Sequence, residues 1–159
     1  MNHRLAIPFL RVALVVLLLG SVFAQVLVPV QASMVGTTYP EVEYLVVPYS
    51  LAAILFIACG QVALLVVWRL LSMVGSGVIF TRRALRWVDV IIACGAVATV
   101  LSAVVWIHML AFVPGGGGPM GLYMVAVVVA GLAFVLLMIV MRGLLESAIA
   151  DRTELDEVI

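Results

Sequence analysis

The chain has 159 residues, of which 67% are hydrophobic and 10% charged, against roughly 25% charged in soluble domains. A single soluble core of this size cannot hide so much apolar surface, so the composition excludes an ordinary soluble domain and points to an integral membrane protein. Formal net charge is zero and every basic side chain is an arginine, which leaves no overall electrostatic case for direct nucleic-acid binding or for an acidic ligand.

A spanning helix needs about 20 mostly apolar residues. Four segments qualify, at about 5–28, 44–68, 88–113 and 121–141. The first opens on the basic MNHR, and Val22, Phe23 and Ala24 resemble a cleavage site. Its apolar run nevertheless exceeds the roughly 7–15 residues of a signal-peptide core, so a retained span is expected. Gln25 is expected near the outer end of this span, where its amide needs a hydrogen-bond partner. The connection over 29–43 carries Pro29, Gly36, Thr37, Thr38 and Pro40 and reads as an outer loop. Thr38 and Pro40 followed by Glu41 and Glu43 resemble a helix start.

The second span contains Pro48, expected to kink it near the outer surface, and Gln61, expected in its inner third. Glue between helices is the plainer role for both glutamines; contact with a substrate is the sharper one. Tyr39, Tyr44 and Tyr49 read as an outer aromatic belt. Beyond Arg69, the glycines of GSG at 75–77 break the helix, and FTRRALRWVD follows. From Ile79 onward a short interfacial helix running into span three is expected, with Phe80, Ala84 and Trp87 on one face and Arg82, Arg83 and Arg86 elsewhere. These arginines serve either as solvated anchors or as contacts for anionic lipid or a cytoplasmic partner.

Asp89 stands at the mouth of the third span, three residues after Arg86 and so spaced to pair with it. Arg142 and Glu146, at the end of span four, could complete an ion network at that depth. Such a network is structural on the bland reading and a proton or ion relay on the sharp one. His108 and His3 fall at opposite surfaces, which excludes a bis-histidine haem. No Cys/His/carboxylate cluster has metal-ligand spacing, and Cys59 and Cys94 sit inside apolar runs as small hydrophobes. PGGGGP at 114–119 reads as a hairpin linker; it lacks the lysine and Ser/Thr of a phosphate-binding loop. Ser102 and His108 do not share a helix face, and no other nucleophile–base pair or aspartate pair appears, so no catalytic residue and no cofactor is expected.

Small residues recur at helix-contact spacing: Gly20 and Ala24; Gly95, Thr99, Ser102 and Ala103; Ala126, Ala130 and Gly131. They predict a compact antiparallel four-helix bundle, without saying whether a stripe meets its own chain or a second protomer. Every arginine falls on one side of this topology, which places that side and both termini in the cytoplasm. The tail from 142 to 159 is an amphipathic acidic helical extension, with Glu154 and Asp156 among its acids. It either packs back on the inner loop or docks a partner.

QVALLVVWRLLSMVGSGVIFTRRALRWVDVIIACGA and the terminal VMRGLLESAIADRTELDEVI, together with PVQA and VPYS, resemble the bacterial membrane family called domain of unknown function 2975. Its members carry a similar WRLL, RWVDVII and ELDEVI pattern, matched here by Trp68, Arg69, Phe80, Arg86, Trp87, Asp89, Glu154 and Asp156. The resemblance implies four spans and, in some members, a neighbouring gene for a small helix-turn-helix regulator. It implies no activity. The expectation is a non-enzymatic protein of the bacterial cytoplasmic membrane, regulatory or accessory, docking a cytoplasmic partner through residues 69–87 and the tail. A small oligomeric transporter or channel is the first alternative, and a lipid-binding protein with an acyl chain between spans is the second.

Overall fold

The computed structural model describes residues 3–40, 43–75, 82–112 and 118–157. Four α-helices account for nearly all of them: α1 His3–Thr38, α2 Glu43–Gly75, α3 Arg82–Phe112 and α4 Pro119–Glu157. No strand occurs among the described residues. Each helix contains a stretch long and apolar enough to cross a membrane, with mean hydropathy of 2.5 in α1, α2 and α3 and 3.0 in α4. The fold is an all-α membrane protein of four antiparallel helices.

Helix packing follows chain order. The backbone of α1 approaches that of α2, α2 approaches α3, and α3 approaches α4; among the described residues no close backbone approach joins α1 to α3 or α4, or α2 to α4. The molecule is therefore a palisade of consecutive hairpins. Few side chains are enclosed by it. The tightest packing lies toward the arginine-bearing end of the second hairpin, where Val66, Ala84, Leu85, Val88 and Ile91 are buried. Most large apolar side chains point outward, as lipid-facing residues must when the solvent is hydrocarbon.

The first hairpin differs from the sequence-based expectation. Residues 29–38 are not loop: α1 continues through Pro29 to Thr38. Proline at 29 removes one backbone donor, but a spanning helix tolerates this where neighbouring groups satisfy the freed carbonyl. Thr38 belongs to the end of α1, where its hydroxyl donates to the Met34 carbonyl at 2.8 Å, and the Tyr39 amide donates to Val35 at 2.9 Å. Glu43 does fall in the first turn of α2; Glu41 lies outside the described residues. Near this end α1 and α2 approach closely, because Gly36 is buried against Val46: a Cβ at 36 would lie 2.9 Å from Val46 Cγ2.

The second hairpin ends α2 at Gly75, within the expected glycine pair. Residues 76–81, including Phe80, lie outside the described residues. As expected, the helix from this connection runs without a break into span three, α3 being continuous from Arg82, the first described residue there; Ala84, expected on an interfacial face, is instead 1% exposed in the helix contact. In the third hairpin, residues 113–117 lie outside the description, and α4 starts at Pro119, a position where a missing amide costs nothing. The Gly118 carbonyl accepts from the Gly121 and Leu122 amides at 2.9 and 3.4 Å.

The small-residue stripes of spans three and four meet within one chain. A Cβ on Gly131 would collide with the Thr99 hydroxyl, and one on Gly95 would stand 3.2 Å from Phe134 and Val135. Thr99 turns its own hydroxyl back to the Gly95 carbonyl at 2.7 Å, so the close approach buries no unpaired donor. Gly20 behaves differently, with no atom within 4 Å of the Cβ it lacks.

Candidate functional site

Polar side chains gather at three depths of an otherwise apolar assembly. At the arginine-bearing end, the Arg142 Nε donates to Asp89 Oδ1 at 2.5 Å and its Nη1 donates to Glu146 Oε2 at 2.9 Å. The first bond ties α4 to α3; the second lies within α4 at the i, i+4 spacing that brings helix side chains together. The side chains of Arg142 and Asp89 are 35% and 48% exposed, so the pair sits at a boundary and not in a core. The Arg86–Asp89 pair expected from sequence does not form: Asp89 is taken by Arg142 instead. Arg86 and Arg69 are exposed at the same end. Arg82 and Arg83 open α3, and Glu154 and Asp156 fall in the last turns of α4; their side chains lie outside the described residues.

α4 does not end at Arg142. It continues unbroken to Glu157, about 22 Å further at ~1.5 Å per residue. From Asp89 back to its start at Arg82, α3 extends only about 10 Å in the same direction. The end of α4 therefore runs past the start of α3 at Arg82 by several residues.

The second group lies between α1 and α2. Gln61 Nε2 donates to Gln25 Oε1 at 3.0 Å and to Ser21 Oγ at 3.2 Å, while Gln25 Nε2 donates to the Ile54 carbonyl at 3.3 Å. Ser21 in turn donates to the Leu18 carbonyl at 2.8 Å. This overturns the expected depth of Gln25, which put it near an outer end. Because α1 runs ten residues further than the expected span, Gln25 falls near its middle and meets Gln61 directly. Paired amides in this position are what a polar group needs where no water is available.

The third group was missed by reading the sequence. The Tyr49 hydroxyl and His108 Nδ1 are 3.0 Å apart, across α2 and α3. Their rings meet edge to face with centroids 5.9 Å apart, and Phe112 lies against the other partner, 4.9 Å from the His108 centroid. Tyr49 is thus committed to a neighbouring helix and is not only a belt anchor. One signal was available: Tyr49 and His108 stand the same number of residues from the ends of their helices at Gly75 and Arg82, so an antiparallel hairpin places them opposite each other. On α2, Tyr49 and Arg69 are separated by about 30 Å at ~1.5 Å per residue, close to the ~30 Å hydrocarbon thickness of a bilayer. The Tyr49–His108 pair and the arginines accordingly mark the two polar boundaries of the span.

Cys59 and Cys94 are free and line one groove with Gly60 and Gly95. Among the described residues, no group of three His, Cys, Asp or Glu side chains is placed to hold a metal ion.

No curated protein and no solved structure matches this chain. A family model described as "Protein of unknown function (DUF2975)" matches residues 30–159, from the far part of α1 through the whole of α4. With that match covering most of the chain, the protein belongs to the DUF2975 family.

Proposed function

We propose that this protein is a non-enzymatic accessory protein of the bacterial cytoplasmic membrane, and that its arginine-bearing end with the α4 extension forms a docking face for a cytoplasmic partner. The unbroken run of α4 to Glu157 carries this reading. A helix end that runs past the start of α3, amphipathic in sequence and acidic in its last turns, offers a face that another surface can cover. The Asp89–Arg142 bond holds its base against α3. The positive-inside rule assigns this end to the cytoplasm, since every arginine of the chain falls on it. A small helix-turn-helix regulator, held at the membrane by its protein-binding face, is the partner this reading favours.

The test is co-purification from detergent-solubilised membranes, comparing the full chain with one ending after Ala150. A DNA-binding protein recovered stoichiometrically with the full chain and lost with the shortened one supports docking. Identical partners from both remove the role of α4.

A further inference from the structure

Because α2 and α4 do not approach each other, α3 is left as the floor of an open groove between them. One section, of about 290 Å³, is lined by Tyr49, Phe56, Ser102, Val105 and Val127. It runs into a second section of about 430 Å³ that shares Phe56, Ser102 and Val127 and continues to Cys94 and Phe134. The walls are apolar, and Ser102, which borders both sections, spends its hydroxyl on the Ala98 carbonyl at 2.9 Å. Measured along α3 from Val105 to Cys94, the groove is about 17 Å long at ~1.5 Å per residue. One leaflet of a ~30 Å hydrocarbon core is about 15 Å deep.

The outer end of this groove is its polar end. Tyr49 lines it, and Tyr49 is bonded to His108. A neutral imidazole carries one N–H and one acceptor nitrogen, and a phenol carries one O–H. If Tyr49 donates to Nδ1, the His108 Nε2–H remains; if Nδ1–H donates, the Tyr49 O–H remains. Either arrangement leaves one donor without a partner among the described residues. That donor sits at the polar boundary of the span, where a bilayer offers ester carbonyls, which accept hydrogen bonds and have none to give.

We propose that the α2–α3–α4 groove holds one acyl chain of a membrane phospholipid, with the Tyr49–His108 pair donating a hydrogen bond to the ester carbonyl at the head of that chain. Length, apolar lining and the single donor at one end select this occupant over a helix of a second copy. Such a helix would have to bring a polar acceptor to the same depth and would fill the groove well past one leaflet. The inference is independent of partner docking at the opposite end.

The test uses the full chain in detergent, incubated with dipalmitoleoyl phosphatidylethanolamine or with its dialkyl ether analogue of equal chain length, and native mass spectrometry. One ester lipid retained per chain is expected, with roughly three- to tenfold preference over the ether lipid, the size of one net hydrogen bond. His108→Phe and Tyr49→Phe should each reduce that preference toward unity while retaining lipid. Ala98→Leu, which fills the floor, should lower retention of both lipids. Equal retention of ester and ether lipid by the unaltered chain overturns the proposal without relying on any variant. A dimer that carries no lipid overturns it as well, in favour of a second copy.

Discussion

Gln61 on α2 donates to Gln25 on α1, and the same amide nitrogen reaches Ser21 one turn along. These bonds fix the register of the first hairpin at the depth where a lipid-exposed amide is least tolerable. Removing Gln61 leaves Gln25 Oε1 without its donor. Interhelical hydrogen bonds in membranes average about 0.6 kcal/mol and reach about 1.7, so Gln61→Leu should destabilise the protein by about 1 kcal/mol. The doubly altered chain, Gln25→Leu with Gln61→Leu, should be less destabilised than the sum of the single changes, because neither partner is then left unmatched. Equilibrium unfolding in mixed micelles measures both; strict additivity would mean that the amides do not interact.

The Arg142–Asp89 pair should behave as a boundary interaction. Both side chains are substantially exposed, so solvent screens the attraction and the net contribution is small. Asp89→Asn is expected to lower Tm by no more than about 2 °C. Glu146→Gln, which loses only a bond within its own helix, should lower it less. High salt should shrink the difference between Asp89→Asn and the unaltered chain. Thermal melts at low and high ionic strength check the order and its salt dependence.

The four helices were legible because lipid demands long uninterrupted apolar runs, and no other class of fold supplies four of them in 159 residues. Their ends were not. Residues 29–43 read as loop in the sequence, yet α1 passes through Pro29 and ends nine residues later, at Thr38. That single error displaced Gln25 from the middle of α1 to its end and hid its pairing with Gln61. The Arg142–Asp89 contact was partly legible as a shared depth, but the choice between Arg86 and Arg142 depends on which face of α3 meets α4. Gly95, Thr99 and Gly131 decide that face through close packing, and a spacing rule does not weigh it. Tyr49–His108 escaped notice because each residue alone has an ordinary interfacial explanation.

Sidedness can be read by cysteine labelling in intact cells, after Cys59 and Cys94 are replaced by alanine. A membrane-impermeant maleimide should label Gly118→Cys from outside. If the arginine excess sets the orientation as proposed, Arg83→Cys and Ile159→Cys should react only after the membrane is opened. External labelling at position 83 or 159 would reverse the orientation and with it the cytoplasmic docking face.

Glycine substitutions separate contacts made within the chain from surfaces left open. Gly131→Ala forces a methyl group into Thr99 across the α3–α4 contact, where Thr99 is held by its bond to the Gly95 carbonyl and cannot simply rotate away. Overpacking of this kind costs typically about 1–3 kcal/mol. Gly20→Ala meets nothing within 4 Å, and there alanine should stabilise α1 by up to about 1 kcal/mol by stiffening the unfolded chain. Thr99→Ala should recover part of the loss in Gly131→Ala, since it removes the colliding hydroxyl. Unfolding of the four variants in micelles reads these signs directly. Tolerance of Gly131→Ala equal to that of Gly20→Ala would mean that α3 and α4 do not meet along Gly95, Thr99 and Gly131. The small residues of α4 would then serve a different neighbour.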